Sequence, residues 1–534
     1  MARSPGSPAS GGQGDGPGRL PPRLPSGRRQ PSGADRFSRK QTGRARVTKR
    51  RSRPGVGRSG TGNESGHEGG VRRRGSGPTV ARLAAVRVLE RVERVRAYAD
   101  VALHHTLAQS NMASADRRLT TELVYGTLRW RGRIDFLLGD ALDRKLDSIE
   151  PLVLTALRMG VYQIHYSDRI PDTAAVDEAV RCTRALGVER ATGLVNATLR
   201  RVAREREKVV FPDWEKDPLG HLEHALSLPR WIAERWLADH GNAAPALAEA
   251  CNRPPPHTIR ANLQRGSRDE LLARLREDFP DALPCTLASR GIVLGRSGDA
   301  GRDPRFREGQ YTVQDEASQA VVDLLDVAPH HRVLDICSAP GTKTTGIAEQ
   351  LSDRGSVLAL DRHAGRLGLV AQSARRLGLR GISTLVRDAT RPLDDLPLAA
   401  DEPAPAGGAH FHRVLVDAPC SGLGALRRNP DARWRLRAGD PARLGAIQSS
   451  LLESAARVVS PGGSLVYSTC TVLSEENETI VDRFLESHPG FQLAEPKTLP
   501  PALASVLDPR GLMRCQPHIN DSDGFFAARL ERKS

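Results

Sequence analysis

The chain has 534 residues, enough for two to four domains with separate cores, and a formal net charge of +16. Its seven cysteines (182, 251, 285, 337, 420, 470 and 515) are odd in number and scattered, with no CxxC pair or Cys/His cluster of zinc-ligand spacing. That pattern argues against a disulfide framework and against a metal. The start lacks the apolar core of a signal peptide and no apolar run is long enough to span a bilayer, so the expectation is a reduced, cytoplasmic setting with no membrane partner.

The charge is unevenly spread. Residues 1–78 hold 18 Lys/Arg and 4 Asp/Glu, residues 79–210 hold 22 and 17, and residues 211–534 hold 39 and 42. A polyanion would therefore be gripped from the N-terminal side. Residues 1–78 are rich in Gly, Ser, Pro and Arg and nearly devoid of large apolar side chains, which predicts a disordered basic tail. Either it binds nucleic acid, or it is a solubilising extension or a start placed too far upstream.

From Ala81 the texture changes. Ala85, Val88, Leu89, Val92 and Val95 have the spacing of one helical face. Further helical patterns cover Leu119–Leu128, Ile134–Leu142, Pro151–Ile164, Ala174–Leu186 and Ala191–Val202, so residues 79–210 read as an all-helical domain. Residues 211–310, broken at Pro254–Pro256, read as a linker and small subdomain with a helix near Asp269–Phe279 and a Gly/Asp/Arg-rich loop at 297–304. From Tyr311 strand and helix alternate. Strands are predicted at Arg332–Ile336, Ser356–Leu360, Ser383–Arg387, Arg413–Val416 and Ser464–Tyr467, with helices such as Gly365–Leu377 and Leu444–Val458 between them and a loop at Asp401–His410. This rhythm predicts an α/β domain over 311–534, with a mostly parallel sheet covered on both faces.

The turn after the first of these strands reads Cys337-Ser338-Ala339-Pro340-Gly341-Thr342-Lys343-Thr344, small residues that admit a ligand to the backbone at a helix start. A phosphate-binding P-loop is excluded, because aligned on Lys343-Thr344 its two glycines would fall on Cys337 and Thr342. The dinucleotide fingerprint GxGxxG is missing too. Acids instead close successive strands: Asp335, Asp361 and Asp388. An acid after the second strand can accept from ribose hydroxyls and one after the third can meet an adenine amino group, which suits an adenosyl ligand without phosphates. Each Asp alone could equally be a turn cap.

Two cysteines follow neighbouring strands, in Asp417-Ala418-Pro419-Cys420-Ser421-Gly422 and in Ser468-Thr469-Cys470. One cysteine alone would most simply be a small buried hydrophobe. Paired beside Asp417 at the ligand edge, they fit a specific chemistry. Carbon 5 of cytosine is too poor a nucleophile to attack a methyl sulfonium. A thiolate added to carbon 6 makes an enamine-like adduct with electron density on carbon 5, and an acid at ring nitrogen 3 offsets the developing charge.

At these residues the chain resembles the Sun family of RNA cytosine-5 methyltransferases. The likeness rests on Cys337–Lys343, Asp417–Gly422, Ser468–Cys470 with Glu475-Glu476-Asn477, Val313-Gln314-Asp315, and Asp523-Gly524-Phe525-Phe526. One departure is Thr342, where members usually carry a second glycine. The resemblance implies a Rossmann-like S-adenosylmethionine-dependent methyltransferase fold, with no metal. It also implies that Cys470 forms the covalent bond, that Cys420 helps release product, and that Cys337, Ser338, Ala339, Pro340, Gly341, Thr342, Lys343, Asp361, Asp388 and Asp417 bind S-adenosylmethionine, Asp417 also facing the base.

Gly193-Leu194-Val195-Asn196-Ala197-Thr198-Leu199-Arg200 is similar to the last helix of the antitermination factor NusB. A NusB-like RNA-binding domain precedes the catalytic part in the branch acting on bacterial small-subunit rRNA, which implies cytosine 967 of 16S rRNA as target. The alternatives are a tRNA or another rRNA site, or a non-catalytic RNA-binding adaptor. The expected partner is RNA rather than DNA, bound by a monomer. Aromatic residues make up only 4% of the chain, which favours one flipped base in a pocket over broad stacking platforms. Deleting residues 1–78 should weaken RNA affinity and flatten its dependence on salt. Titration of RNA binding against salt checks this, and an unchanged slope would identify the tail as a bystander.

Overall fold

The computed structural model describes residues 77–295, 303–352, 354–397 and 410–534. The basic tail lies outside the described residues apart from its last two positions, as do most of the loops read at 297–304 and 401–410.

Seven helices come first: α1 (Val80–Val95), α2 (Ala99–Ala108), α3 (Ser114–Arg129), α4 (Arg131–Ala141), α5 (Pro151–Tyr166), α6 (Asp172–Ala185) and α7 (Thr192–Glu205). In α1 the buried residues Ala81, Ala84, Ala85, Val88, Leu89 and Val92 make one stripe, the three-to-four spacing of an amphipathic surface helix. Helix α5 differs. Every residue from Val153 to Ile164 is buried, so it is the axis of the bundle, and Pro151 sits in its first turn, where no amide hydrogen is needed. Gly160 lets α7 approach this axis, because a Cβ there would stand 2.6 Å from Leu199 Cδ1.

Helices α8 (Arg230–His240) and α9 (Ala244–Cys251) follow. Their apolar faces, through Ile232, Trp236 and Leu247, share a core with Leu423, Leu426 and Leu473 of the later α/β region. A four-stranded antiparallel sheet comes next, of β1 (Thr258–Ala261), β2 (Leu283–Pro284), β3 (Gly291–Val293) and β4 (Tyr311–Val313) in the order β2-β3-β1-β4. It is covered by α10 (Arg268–Leu275), which starts on a capping box between Ser267 and Glu270. Tyr311, where the sequence predicts the start of strand–helix alternation, is instead paired with β1 at the edge of this small sheet.

The large sheet contains β5 (Arg332–Ile336), β6 (Ser356–Asp361), β7 (Ile382–Val386), β8 (Phe411–Asp417), β9 (Val459–Thr469), β10 (Phe491–Leu493), β11 (Met513–Cys515) and β12 (Phe525–Arg532). Its order is β10-β12-β9-β8-β5-β6-β7, with β11 also on β12. Strands β5 to β9 are parallel, and β10 to β12 add an antiparallel margin that the strand–helix rhythm did not predict. Alternate residues feed two cores. Val333, Val357, Leu415 and Val466 point to one face, and Leu334, Leu358, Val414 and Leu465 to the other. The faces are covered by α11 (Glu316–Leu325), α12 (Thr342–Leu351), α13 (Ala364–Leu377), α14 (Asp440–Val458) and α15 (Glu478–Ser487). The chain order reverses beside β5, between β6 and β8, and open α/β sheets bind ligands at the carboxyl ends of the strands at such a point.

The helical bundle is tied to the α/β region by the segment that follows β8. Trp434 Nε1 donates to Leu128 O (2.6 Å), and Arg129 Nη2 donates to Arg427 O (2.9 Å). Arg433 is fully buried, its Nη1 donating to Arg129 O (3.3 Å) of the bundle and to Ser227 O and Asn252 Oδ1, both at 3.0 Å, of the linking segment. Burial pushes this guanidinium down to about 10. Replacing it by Ala would leave those acceptors unpartnered around a cavity, so Arg433→Ala should lose about 3 kcal/mol of stability. Chemical denaturation checks this, and a loss under about 1 kcal/mol would show that the contact is not structural.

Candidate active site

The carboxyl ends of β5, β6, β8 and β9 meet at one edge. After β5 the backbone turns sharply, with Cys337 at φ +62° and Gly341 at φ +103°, and the Ala339–Pro340 bond is cis. Ser338 N donates to Leu360 O (2.8 Å), tying the turn to β6. A Cβ on Gly341 would lie 3.0 Å from Val370 Cα, so this position requires glycine both for its φ and for its contact. Thr342 is the first residue of α12, and positive φ falls on Cys337 and Gly341 rather than on it. A threonine therefore fits where relatives of the expected family carry glycine.

Below the turn, Asp335 is completely buried and accepts from Thr344 Oγ1 (2.6 Å), while its other carboxyl oxygen has no protein partner. Burial raises its pKa to about 7, and the charges of Asp417 and Asp361 add to the shift. Asp361, also buried, accepts from His363 N (2.9 Å) and lies 3.6 Å from Arg366. Arg366 in turn donates to Ala339 O (2.6 Å), closing a link between the first two strand ends. Asp388 is exposed, and its Oδ1 accepts from Thr390 N and Oγ1, which is the turn-capping role open to any such Asp.

Asp417 ends β8 with both oxygens engaged. Lys343 Nζ donates to Oδ2 (2.8 Å) and Ser468 Oγ to Oδ1 (2.9 Å). The Lys343 ammonium also lies 4.8 Å from the centre of the Phe525 ring. The two cysteine turns stand side by side, with Cys420 Sγ and Cys470 Sγ 3.5 Å apart and both residues partly exposed. They are cross-linked by Ser421 Oγ with Thr471 Oγ1 (2.7 Å) and by Gly424 N donating to Cys470 O (2.9 Å). The hydrogen bond to Cys470, followed by burial, pushes the Cys420 thiol well above its ordinary range. Burial pushes Cys337 up to about 12, so that thiol stays neutral.

The ion pair of Lys343 with Asp417 and the bonds that Glu476 and Asn477 make to the cysteine turns were not legible as roles in the sequence. Lys343 stood out only as part of a loop, and Glu475-Glu476-Asn477 only as a family marker. A pocket of about 160 Å³ adjoins the Cys470 turn, lined by Thr471, Asn477, His240 and Arg514 among others. A larger one of about 450 Å³, around His488 and Phe491, includes none of the site residues. Among the described residues no group of three or more His, Cys, Asp or Glu is arranged to hold a metal, and no helix is long and apolar enough to cross a membrane.

Comparison with known proteins reads the same regions. Residues 322–531 match the family described as 16S rRNA methyltransferase RsmB/F, residues 79–204 match the NusB family, and residues 228–300 match the RsmF/B-like ferredoxin-like domain. A Bacillus subtilis (strain 168) protein named "Probable ribosomal RNA small subunit methyltransferase B" is 34% identical over 458 residues, 85% of this chain and 99% of that one. The chain belongs to the RsmB/F family of rRNA methyltransferases. Another RsmB/F relative, ribosomal RNA small subunit methyltransferase B of Pseudomonas putida (strain KT2440), is 36% identical over 451 residues, 84% of this chain and 98% of that one. A crystal structure described as PH0851 superposes with a TM-score of 0.70 at 26% identity, covering 85% of this chain and 98% of that one. NSun6 from Pyrococcus horikoshii, solved with SFG, shares the fold at a TM-score of 0.50 and 20% identity, over 58% of this chain and 100% of that one. This is an S-adenosylmethionine-dependent RNA methyltransferase with a helical NusB-like region ahead of its α/β domain, the fold class and family expected from the motifs.

The Asp335 carboxyl gives the site a pH signature. Its folded pKa lies above the ordinary unfolded value of about 4, so the folded state holds this proton more tightly. The associated stability is fully present below about pH 4 and is lost as pH rises toward 7. Asp335→Asn, which keeps an acceptor for Thr344, should gain on the wild type by roughly 3 kcal/mol between pH 4 and 7.5. Denaturation curves across that range check it, and parallel curves for the two proteins would overturn the assignment.

Proposed function

We propose that this chain methylates carbon 5 of a cytosine in 16S rRNA, cytosine 967 by family resemblance, through a covalent adduct of Cys470 at carbon 6. The observation that carries this reading is the pair of thiols 3.5 Å apart beside Asp417. The division of labour would be residues 79–210 for RNA binding, 211–310 as linker and accessory RNA contact, and 311–534 for chemistry, acting as a cytoplasmic monomer without metal.

The donor site is the Cys337-Ser338-Ala339-Pro340-Gly341-Thr342-Lys343 turn with Asp361, Asp388 and Asp417. The turn fits such a group, because its small residues and left-handed Cys337 and Gly341 expose backbone at the strand ends, and buried Asp361 stands beside it. Of the three acids Asp388 has the least built surroundings, being exposed on its own turn. Bound S-adenosylmethionine supplies the methyl group as an electrophilic sulfonium carbon.

The chain's own residues do the rest. The Cys470 thiolate adds to carbon 6, and the electrons of the carbon 5–carbon 6 double bond move into the ring toward nitrogen 3. Asp417, hydrogen-bonded to the Lys343 ammonium, relays a proton from it to nitrogen 3 as that charge develops and takes the proton back when the ring is restored. Carbon 5 of the resulting enamine takes the methyl group. A base then removes the carbon 5 proton, the double bond re-forms, and the bond to Cys470 breaks. Cys420, which keeps its proton because its pKa is raised, donates a hydrogen bond to the departing Cys470 sulfur.

The test uses 16S rRNA from a strain lacking this gene and donor labelled in its methyl group. Cys470→Ser should lose label transfer by at least about a thousandfold, and Cys420→Ala should accumulate an RNA–protein complex that survives denaturation. Bisulfite sequencing locates the modified cytosine. A Cys470→Ser protein that still transfers label would overturn the mechanism, and label outside 16S rRNA would overturn the substrate.

A further inference from the structure

The residues just after the Cys470 turn are oddly placed for a solvent-facing loop. Glu475 faces outward and pairs with Arg235, but Glu476 is completely buried and Asn477 nearly so. Burying a carboxylate is costly unless hydrogen bonds replace its water. Glu476 recovers only part of that, since Oε1 accepts two bonds while Oε2 has no protein partner. Accordingly burial raises its pKa against the hydrogen bonds that lower it. A cost of this kind invites the question of what the group holds in place.

Its two bonds bracket one cysteine. Glu476 Oε1 accepts from Ser421 N at 2.9 Å, the amide directly after Cys420. It also accepts from Gln448 Nε2 at 3.0 Å, and that same Nε2 donates to Pro419 O at 3.0 Å, the carbonyl directly before Cys420. The peptide groups on both sides of Cys420 are thereby fixed to one another through Glu476 and Gln448.

Asn477 brackets the other cysteine. Its Oδ1 accepts from Thr469 Oγ1 (2.6 Å) and its Nδ2 donates to Thr471 O (3.2 Å), the residues either side of Cys470. The two brackets are adjacent in the chain and are pinned to the sheet by Tyr467 OH, which donates to Glu476 O at 2.6 Å. One dipeptide thus sets both turns and hence the 3.5 Å separation of the sulfurs.

We propose that Glu476 and Asn477 are positioning residues for two different steps: Asn477 holds Cys470 for attack on the base, and Glu476, with Gln448, holds Cys420 for release of the product. The inference rests on the assignment of Cys470 as nucleophile and Cys420 as the releasing thiol. It goes further in separating the two steps by neighbouring residues that act through the turns they hold.

The separation is what the experiment reads. The full-length protein is mixed with unmodified 16S rRNA and labelled S-adenosylmethionine, and single-turnover label transfer, steady-state turnover and denaturation-resistant RNA–protein complex are followed in parallel. Asn477→Ala should slow the first turnover by roughly ten- to a hundredfold, the effect of a misplaced reacting group, without accumulating complex. Glu476→Ala should leave the first turnover within about threefold of wild type, slow steady-state turnover by roughly tenfold or more, and accumulate complex as Cys420→Ala does. Glu476→Gln, which keeps an oxygen for Ser421 N, should restore turnover. Gln448→Ala is the milder probe of the same bracket should Glu476→Ala fail to fold, and it should also accumulate complex. Identical defects in the Asn477 and Glu476 variants, or wild-type release in both Glu476→Ala and Gln448→Ala, would overturn the proposal. If Cys470→Ser itself transfers label, the underlying mechanism falls instead, so the two failures are distinct.

Discussion

The pairing of β8 with β9, which sets Asp417 opposite Ser468 in parallel register, is the constraint from which the site follows. Parallel neighbours end at the same edge of a sheet, so the segments leaving them emerge side by side. Cys420 lies three residues past the end of β8 and Cys470 one past the end of β9, and the tie from Ala418 N to Ser468 O keeps the first turn against the second strand. A shift of one residue in this pairing would turn every side chain of one strand to the opposite face and part the two sulfurs. The alternating apolar residues that fill both faces of the sheet are what hold the register.

Two of the three family markers without an evident chemical role find a mechanical one at the same edge. Arg428, in the segment leaving the Cys420 turn, donates to Asp523 Oδ2 (2.6 Å) and Asp315 Oδ2 (2.8 Å). Asp315 also caps α11 by accepting from Ala317 N, and it receives Asp523 N. Gly524 must be glycine because a Cβ there would stand 2.8 Å from Gly424 Cα and 2.7 Å from Val472 Cγ1. The Val313-Gln314-Asp315 and Asp523-Gly524 motifs thus form a clasp on the segment that follows Cys420. Packing and charge account for these residues where they stand.

How much of this was legible depended on range along the chain. The turn at Cys337–Lys343, the strand-end acids and the two strand-end cysteines are local patterns, each readable from a strand, a break and a helix start. The pairing of Lys343 with Asp417 spans 74 residues, and the bond from Ser421 to Glu476 spans 55. No local periodicity encodes either. The antiparallel margin escaped for a similar reason: β10 and β11 are three residues each, and β12 begins inside a motif whose aromatic residues read as a marker. Thr342 shows the converse. It departs from the family pattern, yet the backbone places its left-handed residues at Cys337 and Gly341, so the departure has no geometric consequence.

The NusB-like helical region is joined to the α/β fold close to the thiol pair. The contacts that join them do not come from remote surface. They involve Arg427 O, Arg433 and Trp434, in the segment leaving the Cys420 turn, which meet Arg129 and Leu128. Arg433 is buried with neutral acceptors, an arrangement that loses much if one partner moves and gains little from small adjustments. Such a joint behaves as a rigid link rather than a hinge. The segment carrying Cys420 is therefore held at one end by the sheet and at the other by the helical bundle, which fixes the thiol pair relative to the NusB-like region.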